Sequence, residues 1–422
     1  MRLRWKIAML VSAAVAISYL DRQTVSVAIA AIQRDIPISN IQFSQLQAAF
    51  LVAYALMYVG GGRLLDVLGT RRGFALIMIW WSIACAGHAL ATGVAVLTVF
   101  RFLLGMGEGG TFPAATKAVA EWFPARERSL AMGIINAGTA VGAVAAPPAI
   151  AAIIMTAGWR WVFVAVGILG PLWALWWWRD YFPASEHAKL TDSERVEIRE
   201  VFSEPSMSGR TSWFKLFSFV EVWGLVIAKF LSDAGWYFYL FWLPKYLYDV
   251  RGFDTKKVGY YAWIPYAAAG VGCLVGGWFS GWLIGRGRSL DFARKAALGA
   301  SAAVMPLIVF VPRVPVQWAI VLFSIAFFGQ QSWSTLVMIV PTDLFPRRIV
   351  GSVAGLVGFG GSMGGVVFGI VVGYLLDHGF GYGAVFAIVS TFHVAAFCLI
   401  LLTVRRIQPL IVSESQYSMV RA

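Results

Sequence analysis

The sequence predicts an all-α membrane protein with twelve transmembrane helices in two pseudo-symmetric six-helix bundles. Three observations predict it. Of the 422 residues, 59% are hydrophobic and only 13% charged, a balance too apolar for a water-soluble globule. The apolar residues gather into twelve runs, each close to the ~20 residues that cross a hydrocarbon core of about 30 Å. The last six runs also repeat a spacing found in the first six.

Taken in order, the first run covers 7–28. Asp21 and Arg22 interrupt it and no small-residue cleavage pattern follows, so it reads as a retained helix rather than a secretory signal. Runs at 43–65, 73–92, 95–119, 128–153 and 159–180 complete a first bundle over residues 1–180. The next stretch, 181–215, holds most of the clustered charge (Asp192, Glu194, Arg195, Glu197, Arg199, Glu200) and a Ser/Gly/Pro-rich segment from Ser203 to Thr211. It reads as a cytoplasmic linker with one short surface helix. Runs at 218–246, 256–284, 293–312, 316–341, 349–375 and 381–404 form the second bundle within 216–422, which ends in a short cytoplasmic tail.

The halves are related. Glu121-Trp122-Phe123-Pro124-Ala125-Arg126 recurs as Asp343-Leu344-Phe345-Pro346-Arg347-Arg348, and the offset of 343 − 121 = 222 also carries Gly133 onto Gly355 and Gly142 onto Gly364. One spacing for three matches marks a duplicated unit. A two-fold pair of bundles is expected to enclose a mid-membrane cavity that rocking opens to each side in turn. Glycines crowd the fourth span (Gly105, Gly107, Gly109, Gly110), the fifth (Gly138, Gly142) and the eleventh (Gly358, Gly360, Gly361, Gly364, Gly365), which suits close helix contact and equally a hinge.

The 34 basic residues against 21 acidic ones leave a formal +13. In a soluble protein that excess would suggest nucleic acid, but here it sits in short loops. Arg2, Arg4 and Lys6 precede the first span, and Arg71/Arg72, Arg126/Arg128, Arg286/Arg288 and Arg347/Arg348 punctuate every second connection. This is the positive-inside pattern, with both termini cytoplasmic. Cys85, Cys273 and Cys398 are isolated, and His88, His187, His378 and His393 have no metal-binding spacing. No phosphate-cradling Gly-rich loop and no Ser/His/Asp order appears, so no enzyme, metal, cofactor or ATP-driven pump is expected. A sensor would need an appended signalling domain.

Chemistry is concentrated where charge enters the apolar runs. An ionisable side chain at a helix centre costs about 2.5 to 3.5 kcal/mol on insertion scales, so those present should face a wet cavity or a partner. Asp21, Arg22, Arg101 and Glu108 are four such residues in the first half. A guanidinium offers a fork of donors that fits a carboxylate, so Arg22 and Arg101 suit an anionic substrate. A buried carboxyl near an arginine is pulled both ways, by burial toward neutrality and by the cation toward charge, which makes Asp21 and Glu108 candidate proton switches. Permanent Asp21–Arg22 and Arg101–Glu108 ion pairs that only fix helix packing are the alternative.

The loop Gly62-Arg63-Leu64-Leu65-Asp66-Val67-Leu68-Gly69-Thr70-Arg71-Arg72 resembles the signature of the major facilitator superfamily between its second and third spans. The equivalent second-half loop, Gly281-Trp282-Leu283-Ile284-Gly285-Arg286, lacks the aspartate. A carboxylate at a helix end caps or pairs in one conformation and lets go in another, so Gly62, Asp66, Gly69, Arg71 and Arg72 are expected to act as a gating loop. A solvated turn with orientation charges is the alternative.

Within that superfamily the chain resembles the anion:cation symporters, and most of all the bacterial hexuronate transporters, over nearly its full length. The residues that carry the resemblance are Tyr19-Leu20-Asp21-Arg22, Arg101 with Gly107-Glu108-Gly109, Glu121-Trp122-Phe123-Pro124-Ala125-Arg126-Glu127-Arg128, and Lys229-Phe230 with Trp236-Tyr237-Phe238-Tyr239-Leu240-Phe241-Trp242-Leu243-Pro244-Lys245. The resemblance implies proton-coupled import, across a bacterial inner membrane, of a hexuronate such as galacturonate or glucuronate. It implies that Asp21 and Glu108 carry protons, that Arg22 holds the substrate carboxylate, and that Tyr19, Tyr54 and Thr139 line the site, with Asn136 placed beside them. Many relatives that carry aldonates or aldarates have asparagines on the eleventh span where this chain has Gly358 and Ser362, which favours a hexuronate. The alternatives are another organic anion (an aldonate such as galactonate, an aldarate or a phosphorylated sugar) or anion antiport.

In the second half the 222 offset carries Glu108 onto Gln330, beside Gln331, Ser332, Trp333 and Ser334. Polar uncharged groups and an aromatic plane suit sugar hydroxyls and a ring face. Lys229, Asp233, Trp236 and Tyr237 on span seven are further candidates, with Lys229 a second anion contact. Ordinary helix packing is the alternative for Trp236, Tyr237 and Trp333. The expected partners are therefore the small anionic substrate, protons and the lipid bilayer, with the carrier a monomer.

Overall fold

The computed structural model describes residues 2–408 apart from 124, 185–186, 188–189, 191–193, 195–215 and 346, and excludes the side chains at 59, 62, 63, 66, 120, 125–130 and 347–352. Apart from Glu194, the surface helix expected over Asp192 to Glu200 lies outside the described residues, as do Ser203 to Thr211 and the C-terminal tail.

The described residues form helices α1 (Leu3–Arg22), α2 (Thr24–Asp35), α3 (Asn40–Gly87), α4 (Val94–Glu108), α5 (Thr111–Trp122), α6 (Ala125–Ala157) and α7 (Trp159–Asp180) in the first half. In the second half they form α8 (Val220–Asp249), α9 (Thr255–Tyr261), α10 (Trp263–Gly285), α11 (Leu290–Ala303), α12 (Val316–Leu344), α13 (Arg347–Asp377) and α14 (Gly381–Thr403). Short 3-10 turns cover His88–Leu90 and Met305–Arg313. Broken spans account for the difference from twelve: α1 and α2 share span one, α4 and α5 span four, α9 and α10 span eight, and α11 continues into the second 3-10 turn. Spans two and three run together as α3, bent where Gly69 adopts φ 75°, a left-handed conformation that suits glycine.

Ten of these stretches are long and apolar enough to cross a membrane. The other two expected spans are the first arm of α3 and α8, which carries Lys229 and Asp233. Helices overrun the apolar runs because polar caps extend them. Ser39 accepts from Gln42 N while Gln42 returns the bond to Ser39 N, a reciprocal cap for α3; Asp254 and Ser289 cap α9 and α11.

Two compact units result. Unit one comprises 1–205, 237–267 and 366–380, and unit two 206–236, 268–365 and 381–422. Segments of α8 and α13 fall within unit one. Tyr248 donates to the Val27 carbonyl at 2.7 Å, Trp242 meets Phe43 edge-on, and Asp377 accepts from Asn40 N and Ile41 N at 3.0 and 2.8 Å. In unit one a Cβ on Gly105 would strike the Phe50 carbonyl, so α4 lies directly on α3. The core of unit two includes Val222, Leu225, Trp333, Leu336, Val337, Val353, Val357 and Ile400.

Candidate functional site

Span one breaks at Gln23, between α1 and α2, so Asp21 and Arg22 sit at a helix end with carbonyls freed from the i to i−4 ladder. Thr24 Oγ1 satisfies the Asp21 carbonyl at 2.7 Å. Arg101 satisfies that of Arg22: its Nη2 donates there at 3.2 Å and to Gln47 Oε1 at 2.7 Å, while Gln47 Nε2 reaches Ser26 Oγ at 3.3 Å. Arg101 on α4 therefore braces the break through α3.

Arg22 turns its side chain the other way along the cluster. Its Nε donates to Glu108 Oε2 at 2.6 Å, and Ser18 Oγ donates to the same oxygen at 2.7 Å. Its guanidinium lies 4.6 Å from the ring of Tyr19, 4.5 Å from Tyr54 and 5.6 Å from Phe50, an aromatic wall that attracts a cation. All four ionisable groups are buried, Arg101 and Glu108 completely. Yet Arg22 Nη2, Arg101 Nε and Nη1, Glu108 Oε1 and Asp21 Oδ1 have no hydrogen-bond partner among the described residues. The Cys85 thiol near Asp21 donates to the Phe163 carbonyl at 3.5 Å. The cluster thus holds two cations and two carboxylates joined by one direct ion pair, with donors and acceptors left over.

That pairing differs from both local alternatives raised by the sequence. The ion pair runs across helices, Arg22 to Glu108, rather than within Asp21–Arg22 or Arg101–Glu108. Asn136 is exposed and Thr139 half-buried on α6, with the Thr139 hydroxyl on the Asn136 carbonyl. No hydrogen bond among the described residues joins either to the Arg22 group.

Unit two holds the other candidates. Lys229 Nζ donates to Asp233 Oδ1 at 2.9 Å and to Ser334 Oγ at 2.8 Å. Gln330 Nε2 approaches Asp233 Oδ1 at 3.4 Å, and Gln330 Oε1 is bonded to His393 Nε2. Ser332 Oγ accepts from Ser301, and the Gln331 carbonyl takes the Thr335 hydroxyl. Trp333, expected to offer a ring face, is packed in the core with its ring edge-on to His393. Trp236 packs edge-on against Phe327. Tyr237 falls in unit one, stacked on Phe241.

Of the expected gating loop, the side chains at Gly62 and Asp66 lie outside those described, and Arg72 is exposed. Gly69 makes the bend. Arg71 donates to the Trp178 carbonyl and stacks 3.8 Å from the Phe182 ring centre. Beside it Glu121 accepts from Thr70 and from Tyr181. Burial, and then the Glu121 carboxylate, push the Tyr181 phenol well above its ordinary range.

Ser18, Gln47, Phe50 and His393 were missed in the sequence reading. Gln47 was detectable as an uncharged polar residue within an apolar run; His393 gave no signal because its partner lies 63 residues away.

Comparison with known proteins follows the same lines. The family model described as Major Facilitator Superfamily matches residues 11–369. The hexuronate transporter of Escherichia coli (strain K12) is 33% identical over 418 residues, covering 97% of this chain and 95% of that protein. The galacturonate transporter of Dickeya chrysanthemi is 35% identical over 279 residues, 65% of this chain and 81% of that protein. A crystal structure of a bacterial homolog of the human lysosomal transporter Spinster, inward-facing and occupied, shares the fold with a TM-score of 0.74 at 18% identity, covering 96% of this chain and 97% of that one.

Proposed function

The chain belongs to the major facilitator superfamily, and we propose that it imports a hexuronate, such as galacturonate or glucuronate, together with protons across a bacterial inner membrane, with both termini in the cytoplasm. It is a multi-pass membrane transporter with twelve helices in two pseudo-symmetric bundles, and not an enzyme.

Arg22 is the observation that carries the reading. A structural ion pair deep in a membrane protein is expected to use the whole guanidinium fork, whereas Arg22 offers Nε to Glu108 and, among the described residues, leaves Nη2 unpartnered within an aromatic wall. A substrate carboxylate taking both nitrogens would displace Glu108. Glu108 is then a buried charge without its cation, and binding a proton removes that charge. Anion binding at Arg22 and proton binding at Glu108 are in this way one linked event. Asp21, buried beside Cys85 with one oxygen unpartnered, is the second candidate carrier in this cluster. Arg101 enters as the brace behind Arg22 rather than as a substrate ligand.

Hexuronate as the anion is supported by the two relatives named above and by the resemblance read from the sequence, which implies asparagines in many aldonate and aldarate carriers where this chain has Gly358 and Ser362. The test is galacturonate uptake into proteoliposomes with an inward proton gradient. Glu108→Gln is expected to lose gradient-driven accumulation while keeping galacturonate exchange. Wild-type accumulation in that variant would overturn the role of Glu108, and failure of the wild type to take up galacturonate would overturn the substrate.

A further inference from the structure

Unit two buries a second carboxylate with the same uneven surroundings as Glu108. Glu108 receives a cation and a hydroxyl on Oε2 and, among the described residues, nothing on Oε1. Asp233 receives the Lys229 ammonium at 2.9 Å and the Gln330 amide at 3.4 Å, both on Oδ1, and no hydrogen bond on Oδ2 from the described residues. The open Oδ2 lies against the backbone of α13 at Gly361, where a Cβ would collide with it.

The neighbours of Asp233 fix its orientation. Gln330 Oε1 can only accept, so His393 must donate from Nε2, and its buried Nδ1 has no partner among the described residues. The reversed amide would set its oxygen against the Asp233 carboxylate. His393 therefore directs the Gln330 NH2 toward Asp233. The groups facing Asp233 are Lys229 on its own helix, Gln330 on α12 with Ser334 behind Lys229, His393 on α14 through Gln330, and uncharged backbone from α13. Lys229 is the single cation among these neighbours, and Ser334 holds it from the far side. The 222 offset maps Glu108 onto Gln330, so in the second half the carboxylate has moved from the position of Gln330 to the side chain that Gln330 touches.

We propose that Asp233 is a second proton-binding site, contained in unit two, with Lys229 as its fixed counter-charge. The step is simple: the carboxylate takes one proton from water on one side of the membrane to become the acid, then returns it to water on the other. Lys229 keeps its bond to Ser334 throughout.

Purified Asp233→Asn protein, and Asp233→Asn/Lys229→Met in case the unpaired lysine prevents folding, would be compared with wild type by infrared difference spectroscopy across a pH step without substrate. One protonated-carboxyl band is expected to disappear in both variants. In proteoliposomes, the proton-to-galacturonate ratio from reversal-potential measurements is expected to fall by one. An unchanged band set, or an unchanged ratio in a folded variant, would overturn the proposal. The uptake arm rests on the import reading above; the spectroscopic arm does not, so a wild type inert toward galacturonate but carrying the Asp233 band would sink the substrate and leave this site standing.

Discussion

The two buried polar clusters solve the problem of charge in lipid differently. In unit one the charge is held across helices: Arg22 at the end of α1 meets Glu108 at the end of α4, and Arg101 braces the break between α1 and α2. In unit two the pair is local, Lys229 to Asp233 one turn on along α8, with Gln330 and Ser334 bonded to it and His393 behind Gln330. A cross-helix pair is open to exchange, because a ligand can take the place of one partner. An i to i+4 pair travels with its own helix. The copies agree elsewhere: Glu121 takes Thr70 and Tyr181, while its repeat mate Asp343 takes Arg294 at 2.8 Å. Duplication has kept the carboxylate at the helix end and reassigned the one at mid-membrane.

The largest stability loss should come from the core of unit two. Trp333→Ala is expected to cost about 3–5 kcal/mol of stability, read as a lower thermal transition in detergent, with galacturonate affinity retained in the folded fraction. A selective loss of affinity at unchanged stability would restore Trp333 as a sugar platform and break the contrast. Arg22→Ala should do the reverse, weakening galacturonate binding about 100-fold, or about 2.7 kcal/mol, by calorimetric titration. Arg22→Ala/Glu108→Gln is the control that removes the stranded carboxylate.

Arg101→Lys sharpens the comparison further. An ammonium cannot span the Arg22 carbonyl and Gln47 as the planar fork does, so affinity should fall about tenfold, or about 1.4 kcal/mol, with proton coupling intact. The smallest effect is expected at Tyr181→Phe, about 1 kcal/mol for one hydrogen bond. Since burial and Glu121 raise the folded-state value of this phenol, its contribution is complete below the unfolded value of about 10 and is lost as pH rises through the folded one. Thermal scans of wild type and variant at neutral pH and above pH ~10 would register that loss as a converging difference.

Much of this was legible in the sequence. Span count and the repeat follow from apolar run lengths and one offset, and Asp21, Arg22, Arg101 and Glu108 stood out because charge in a span is costly. Their pairing was not legible. Adjacency suggested Asp21 with Arg22, and two turns suggested Arg101 with Glu108, but Arg22 reaches across to Glu108 on α4 and its carbonyl takes Arg101. Trp333 was ambiguous because α12 is apolar around much of its circumference, so periodicity does not tell its core face from a cavity face.

The link between anion and proton at the Arg22–Glu108 contact is tested most directly by counting protons. Galacturonate binding to purified protein, titrated calorimetrically in buffers of different ionisation enthalpy, gives the protons taken up per ligand bound. The account predicts that Glu108→Gln binds galacturonate with one proton fewer than wild type. Equal proton uptake in the two proteins would contradict it.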